Sequence, residues 1–204
     1  MMHSVLEAYR VRLVPFLGLI AEQPAFIEHV RQWRNHESVR QHMFTQEVIS
    51  AEQHQRWVEK LKTREDLTLF VAFYGDDPLA VASVSSMDDQ PLALSQHLEA
   101  AIYRVPPMPA ATGEISPPAS PMLAFAPAMA LNDWCFSLND KIVLWARVLE
   151  ANTTAQRFND SMGYEVERWV EATPELPYRH VVQRLDRDAY TKANKIKALL
   201  SRVR

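Results

Sequence analysis

Glycine is scarce in this chain, at four residues in 204, or about 2% where roughly 7% is usual. Few positions can then take a positive φ or let a ligand press against bare backbone. The single cysteine, Cys135, excludes an intramolecular disulfide and any multi-cysteine zinc site, and agrees with a reducing, cytoplasmic setting. Within Trp134-Cys135-Phe136 it reads as a packed thiol rather than a nucleophile. His29, His36, His42 and His54 show no metal-ligand spacing, so no metal is expected and these rings are read as solvent-facing or capping groups. A bilayer-length apolar run is lacking too: the longest uncharged stretch, 115–132, carries Pro117, Pro118, Pro121 and Pro127, which excludes a transmembrane helix. The apolar run 13–21 behind Arg10 and Arg12 is interrupted by Pro15 and Gly18, and is read as a strand and turn rather than a leader.

What is present is an ordinary globular composition, 48% hydrophobic and 23% charged, enough for one self-sufficient core. The formal net charge of −3 does not advertise nucleic acid, yet it is uneven, because seven Lys/Arg against two Asp follow from Arg184 onward. We expect one domain over 1–186 and a basic amphipathic helix over 187–204, with Ala189, Ala193, Ile196, Leu199 and Leu200 as its apolar stripe. A solvated charged face fits that helix better than RNA or membrane contact.

Alternation in 9–15 predicts a first strand. Three- and four-residue apolar spacing through 24–43 predicts two short helices with a break near Asn35. Ser50-Ala51-Glu52-Gln53 matches a capping box and predicts a helix over 51–63. Strands are expected at 67–74, 79–87 and 97–105, then a Pro-rich loop over 106–121 and a buried helix over 123–138 with Pro127 in its first turn. A strand at 141–149, a helix over 152–162 capped by Asn152 and closed by Gly163, and strands at 164–173 and 178–185 complete the order.

The run Val148-Leu149-Glu150-Ala151-Asn152-Thr153-Thr154-Ala155, then Phe158 and Met162-Gly163-Tyr164, reads as a strand, a capped helix and an aromatic strand. Together with Trp33-Arg34-Asn35, Val39-Arg40, Met43, Ile49-Ser50, His54 and Trp57, it resembles the GNAT acyltransferase superfamily over about residues 9–186. Within it, the chain looks most like the amino-sugar N-acetyltransferases of pseudaminic acid biosynthesis, with ribosomal-protein N-terminal acetyltransferases as near relatives. The resemblance implies an α/β (α+β) fold, with a central mixed twisted sheet of about seven strands and helices on both faces.

It also implies acetyl-CoA or another acyl-CoA as cosubstrate, bound between two splayed parallel strands, and a small-molecule amine acceptor attacked in a ternary complex. Glu99 would take a proton from the amine through water, and a pair with His97 on the same strand face is its equally weighted structural alternative. Arg104, Val105, Met122, Leu123, Ala124, Asn152 and Phe158 would hold the cofactor. Trp33, Arg34, Asn35, Arg40 and Met43 would wall the acceptor site, where an arginine pair could hold a nucleotide diphosphate, surface salt bridges being the commoner fate of such residues. A homodimer is left open.

Two departures stand out. The phosphate-binding segment, normally glycine-rich, corresponds to Ser120-Pro121-Met122-Leu123-Ala124, where proline removes donors and side chains restrict approach, so a weaker or displaced cofactor is expected. Asn159 stands where many relatives have the tyrosine that protonates the leaving thiolate, with Tyr103 or Tyr164 as substitutes, because an amide can hydrogen-bond sulfur but not act as an acid. The function expected is therefore N-acyl transfer to an amine, such as a nucleotide-linked amino sugar. The alternatives are a protein N-terminus as acceptor, or a non-catalytic module of the same fold.

Overall fold

Alternation of side chains along the strands, with apolar residues on both faces, dictates a sheet covered on two sides. The computed structural model describes residues 5–107, 121–192 and 196. It shows one eight-stranded sheet in the order β1 (Leu6–Ala8), β2 (Val11–Pro15), β3 (Leu67–Tyr74), β4 (Asp77–Ser86), β5 (His97–Arg104), β6 (Val143–Leu149), β8 (His180–Asp186), β7 (Glu165–Val170). All neighbours are antiparallel except β5 and β6.

On one face lie α1 (Phe16–Glu22), α2 (Ala25–Asn35), α3 (Glu37–Arg40) and α4 (Ala51–Leu61). Phe16, Leu19, Val30, Trp33, Val58 and Leu61 from these helices meet Leu69, Val71, Phe73, Val81 and Val105 of the sheet side. The opposite face carries α5 (Ala126–Leu138), which packs on Phe70, Ala72, Ala82, Val84, Leu98 and Leu144. Its residues 126–132 and 134–136 are all buried, as befits a helix apolar around its whole circumference. The helix α6 (Thr153–Ser161) lies between β6 and β7 in the chain, and α7 (Arg187–Lys192) follows β8.

The locally encoded elements appear as expected. Ser50 and Gln53 form the reciprocal capping box of α4, the break between α2 and α3 falls at His36, and Gly163 closes α6 at φ +92°. Pro127 sits in the first turn of α5.

Two expectations are corrected. The run 13–21 is strand only to Pro15 and helix from Phe16, because burial of Phe16, Leu19 and Ile20 on one helical stripe outweighs the mid-helix Gly18. The sheet has eight strands rather than seven, since β1 pairs with β2 through Tyr9 and Arg10 at φ 53° and 64°. Such a tight hairpin turn normally announces itself by Asn or Gly. The expected terminal helix is seen as Arg187–Lys192 and at residue 196, and the rest of 187–204 lies outside the described residues, as do Pro117, Pro118 and Ser120.

Candidate active site

The only parallel pair among the described residues opens into a gap. β5 and β6 are in register for three steps, the last being Glu99↔Trp145, whereas β5 runs on to Arg104 and β6 to Leu149. The Val105 N–H donates to the Leu79 carbonyl of β4 (2.8 Å), and the Val143 N–H donates to the Gln96 carbonyl (2.8 Å). By alternation, the Ala100 carbonyl and the amides and carbonyls of Ile102 and Arg104 of β5 and of Arg147 of β6 turn into the gap, whereas the Leu149 carbonyl already accepts from the Asn152 N–H (2.9 Å) and Gln156 Nε2 (3.1 Å). A stretch of peptide edge is thus open to a ligand that carries amides of its own.

Side chains around the gap divide by face. Leu98, Ala100 and Ile102 join the α5 side of the core, which places Glu99, Ala101 and Tyr103 on the α1–α4 side. There, Arg147 Nε and Nη2 donate to the two oxygens of Glu99, each at 2.7 Å, in a two-point fork across the widening strands. The Glu99 carboxylate in turn pushes the Arg147 pKa up. The Arg147 guanidinium also lies 5.4 Å from the Phe44 ring centre, and Phe44 meets the His180 ring edge-on at 5.1 Å. The alternative partner of Glu99, His97, instead accepts from Trp145 Nε1 at 3.2 Å.

The Trp33-Arg34-Asn35 segment and Arg40 shape the wall beside these groups by holding the 41–50 loop. Asn35 clasps Ile49 twice, accepting from its N–H and donating to its carbonyl, both at 2.8 Å. Arg34 Nη2 donates to the Thr45 carbonyl at 2.7 Å, and Arg40 Nη1 to the Gln46 carbonyl at 2.6 Å. Arg34 Nη1 and Arg40 Nε are buried without any hydrogen-bond partner, an omission that costs about 1–3 kcal/mol per group. Burial pushes the Arg34 guanidinium below its ordinary pKa, opposed by Tyr103 and reinforced by Arg40. Burial pushes the Tyr103 hydroxyl the other way, above its ordinary value, so it stays protonated.

On the α5 side, a 3₁₀ turn at Pro121–Ala124 delivers the chain to the start of α5, with Leu123 buried in the core. Phe125 stacks flat on Phe158 of α6, ring centres 4.6 Å apart, tying the start of α5 to α6. The Asn152 side chain caps α6 by accepting from the Ala155 N–H (3.1 Å). Leu123, Phe158 and Ile102 belong to this same side of the core.

Other expected site residues stand elsewhere. Trp33 is only 4% exposed and packs edge-on against Phe26, so it supports the wall from inside rather than facing the gap. Asn159 Nδ2 donates to Gln183 Oε1 (2.8 Å), and Gln183 Nε2 donates to Asp160 (2.9 Å), a clasp between α6 and β8. Tyr164 is buried against Asn132. Met43 follows α3, and its N–H donates to the Arg40 carbonyl (3.1 Å). The Arg34 and Arg40 side chains meet loop carbonyls rather than the surface carboxylates expected of their structural alternative.

Of the four histidines, His36 caps α3. His54 is not solvent-facing but 5% exposed, stacked on Trp57 with an unpartnered Nδ1. No cluster of three or more metal-binding side chains occurs among the described residues, and none of their helices is long and apolar enough to cross a membrane. Burial raises the Cys135 thiol far above its ordinary pKa.

Sequence reasoning missed Arg147, Phe44 and His180. The signal for Arg147 was a lone charge in the strand Val143–Leu149, on the β6 face that parallel pairing sets beside Glu99.

Compared by sequence, the chain matches no family model and no curated protein. Compared by structure, it superposes on aminoglycoside acetyltransferase AAC(6')-Ib in complex with coenzyme A, at a TM-score of 0.65 and 14% identity, covering 93% of this chain and 98% of that one. A probable GNAT-family acetyltransferase from Chromobacterium violaceum matches at TM-score 0.67 and 14% identity, over 94% and 95% of the two chains. A GCN5-related N-acetyltransferase from Brucella melitensis matches at 0.69 and 13%, over 98% and 86%. The chain has the GNAT fold. Among the described residues, the one parallel pair and its gap lie between the α1–α4 layer and α5.

Proposed function

We propose that the protein is an acyl-CoA-dependent N-acyltransferase, moving an acetyl or other acyl group to a primary amine by direct transfer in a ternary complex. The observation that carries this reading is the parting of β5 and β6 after Glu99↔Trp145, with a helix start on one side of the gap and charged groups on the other. The AAC(6')-Ib neighbour has been crystallised with coenzyme A and kanamycin together. Acyl-CoA supplies the thioester. The Ala100 carbonyl and the amides and carbonyls of Ile102 and Arg104, beyond the last β5–β6 ladder step, suit the peptide-like pantetheine arm, and Asn152 and Phe158 flank it. The amides of Met122, Leu123 and Ala124 and the α5 dipole suit the phosphates.

In transfer, the amine nitrogen forms a bond to the thioester carbonyl carbon, the carbon–sulfur bond breaks, and the thiolate takes a proton. Glu99, positioned by Arg147, removes the amine proton through water. Tyr103, on the same face as Glu99, is the donor to the thiolate, a role that Asn159 cannot fill. The acceptor we favour is a nucleotide-linked amino sugar, with a protein N-terminus as the second acceptor in the same chemistry, and the setting we favour is cytoplasmic.

One observation favours a second reading, a non-catalytic module of the same fold. The approach to α5 contains Pro121 and Pro127, and each removes an amide donor where the phosphates would sit. Calorimetric titration with acetyl-CoA, followed by CoA-thiol release with a panel of amines, tests both. Micromolar binding and thiol release are expected. A folded protein that binds no acyl-CoA supports the module instead.

A further inference from the structure

We propose that Trp145 is a specificity-determining residue of the acceptor site, a fixed indole platform that selects an amine borne directly on a ring over one borne on an open chain. The inference rests on the acyltransferase reading and deepens it, because it separates ring-borne acceptors from a protein N-terminus.

Of the five tryptophans, four have their ring faces engaged within the fold. Trp33 and Trp57 pack with the core beneath α1–α4 and Trp134 with the core beneath α5, while Trp169 lies 4.7 Å from the Arg179 guanidinium. Trp145 is half-buried yet belongs to neither core, and among the described residues no cation lies over its ring. Its neighbours on β6, Leu144 and Ala146, join the α5 side of the core, so the indole stands on the opposite face with Glu99 and Arg147. No β6 residue belongs to the core beneath α1–α4. A large apolar ring is thus held beside the gap without the packing that accounts for the other four.

Two contacts fix where the platform stands and how it is turned. Trp145 is the register partner of Glu99 at the last step before the strands part, which sets the two side chains about one strand spacing apart, roughly 4.7–4.9 Å. The indole Nε1 donates to His97 Nδ1 at 3.2 Å, and the two ring centres are 6.0 Å apart, so rotation of the indole is restrained. Both Glu99 oxygens accept from Arg147, and each keeps a lone pair for the water that relays the proton. An amine placed beside that water has its carbon skeleton over the indole within the breadth of one ring. A rigid ring lies flat on a fixed face at little entropic cost, whereas an open chain has to freeze several rotamers to make the same contact.

The test compares cyclohexylamine with hexylamine, equal in carbon number and charge, and with trialanine as an open-chain N-terminus. Proton–nitrogen correlation spectra of the unaltered full chain, with and without saturating CoA, follow the Trp145 indole N–H, identified by its absence from Trp145→Phe. Cyclohexylamine should move that signal saturably and bind about 2–10-fold more tightly than hexylamine, the range for a ring contact on an aromatic face. In acetyl transfer, kcat/KM should favour cyclohexylamine by a similar factor. Trp145→Phe, which keeps a flat face, should keep the preference, whereas Trp145→Leu should lose it through a higher KM for cyclohexylamine with the KM for acetyl-CoA unchanged. An unmoved indole signal, equal or better use of hexylamine or trialanine, or a preference that survives Trp145→Leu would each overturn the platform. Failure to bind acyl-CoA would sink the acyltransferase reading by itself, while the indole titration without CoA would still decide whether Trp145 takes a ring.

Discussion

The two faces of the sheet are built on opposite terms. Beneath α5, side chains such as Leu98, Leu144, Ala126 and Cys135 are fully excluded from solvent and almost entirely apolar. Beside the gap, on the α1–α4 face, the chain spends Arg34, Arg40, Arg147 and Glu99 on fixed polar geometry and leaves two guanidinium nitrogens unpartnered. Packing yields stability without direction, whereas directed charge yields recognition at some cost in stability. In this protein both sides of the sheet carry a buried apolar core, and the fixed charged groups beside the gap stand on the α1–α4 side.

If that division holds, substitutions on the two sides should separate stability from turnover. Glu99→Gln should lower kcat by about 10²–10⁴-fold while acetyl-CoA affinity and the denaturation midpoint stay nearly unchanged, since its partner Arg147 is 42% exposed. Unchanged turnover would remove Glu99 as the proton acceptor. Leu144→Ala, beneath α5 and 0% exposed, should cost about 2–5 kcal/mol in urea unfolding, with acetyl-CoA still bound by the folded fraction; a smaller loss would mean that this face repacks freely.

The α1–α4 layer holds one group that ties its stability to pH. Burial, then Arg31, holds the His54 pKa below its ordinary value, against a smaller pull from Glu28. The unfolded chain therefore binds more protons, so stability is complete above about pH 6.5 and falls below it, by at most about 1.4 kcal/mol per pH unit. His54→Gln should flatten that slope, and an unaltered slope would place the titration elsewhere. The smallest effect expected is for Asn152→Ala, about 1 kcal/mol from loss of the α6 cap, with weaker acetyl-CoA binding if the same side chain also serves the pantetheine arm.

Much of the fold was legible because the signals were local. The capping box at Ser50 and Gln53, the cap at Asn152, the stop at Gly163 and the break at His36 each depend on residues within one or two turns. The β1–β2 hairpin was not legible, because Tyr9 and Arg10 take a turn conformation that their residue types do not announce. In the candidate site, the tryptophan–arginine–asparagine segment was visible, but its work was not: Asn35 reaches 14 residues ahead to clasp Ile49. Glu99 was visible as a carboxylate on an apolar strand, whereas its partner Arg147 lies 48 residues away.

The sequence by itself determined most of the order of strands and helices, though not β1 or α1, together with the apolar faces that make them a two-sided sheet and the proline-bearing approach to α5. Only the tertiary structure decided that Glu99 meets Arg147 rather than His97, that Asn159 is spent on Gln183, and that Arg34 and Arg40 donate to the Thr45 and Gln46 carbonyls. Periodicity and capping act over a few residues along the chain. Charge pairing depends on distances between side chains that only the packed sheet brings together.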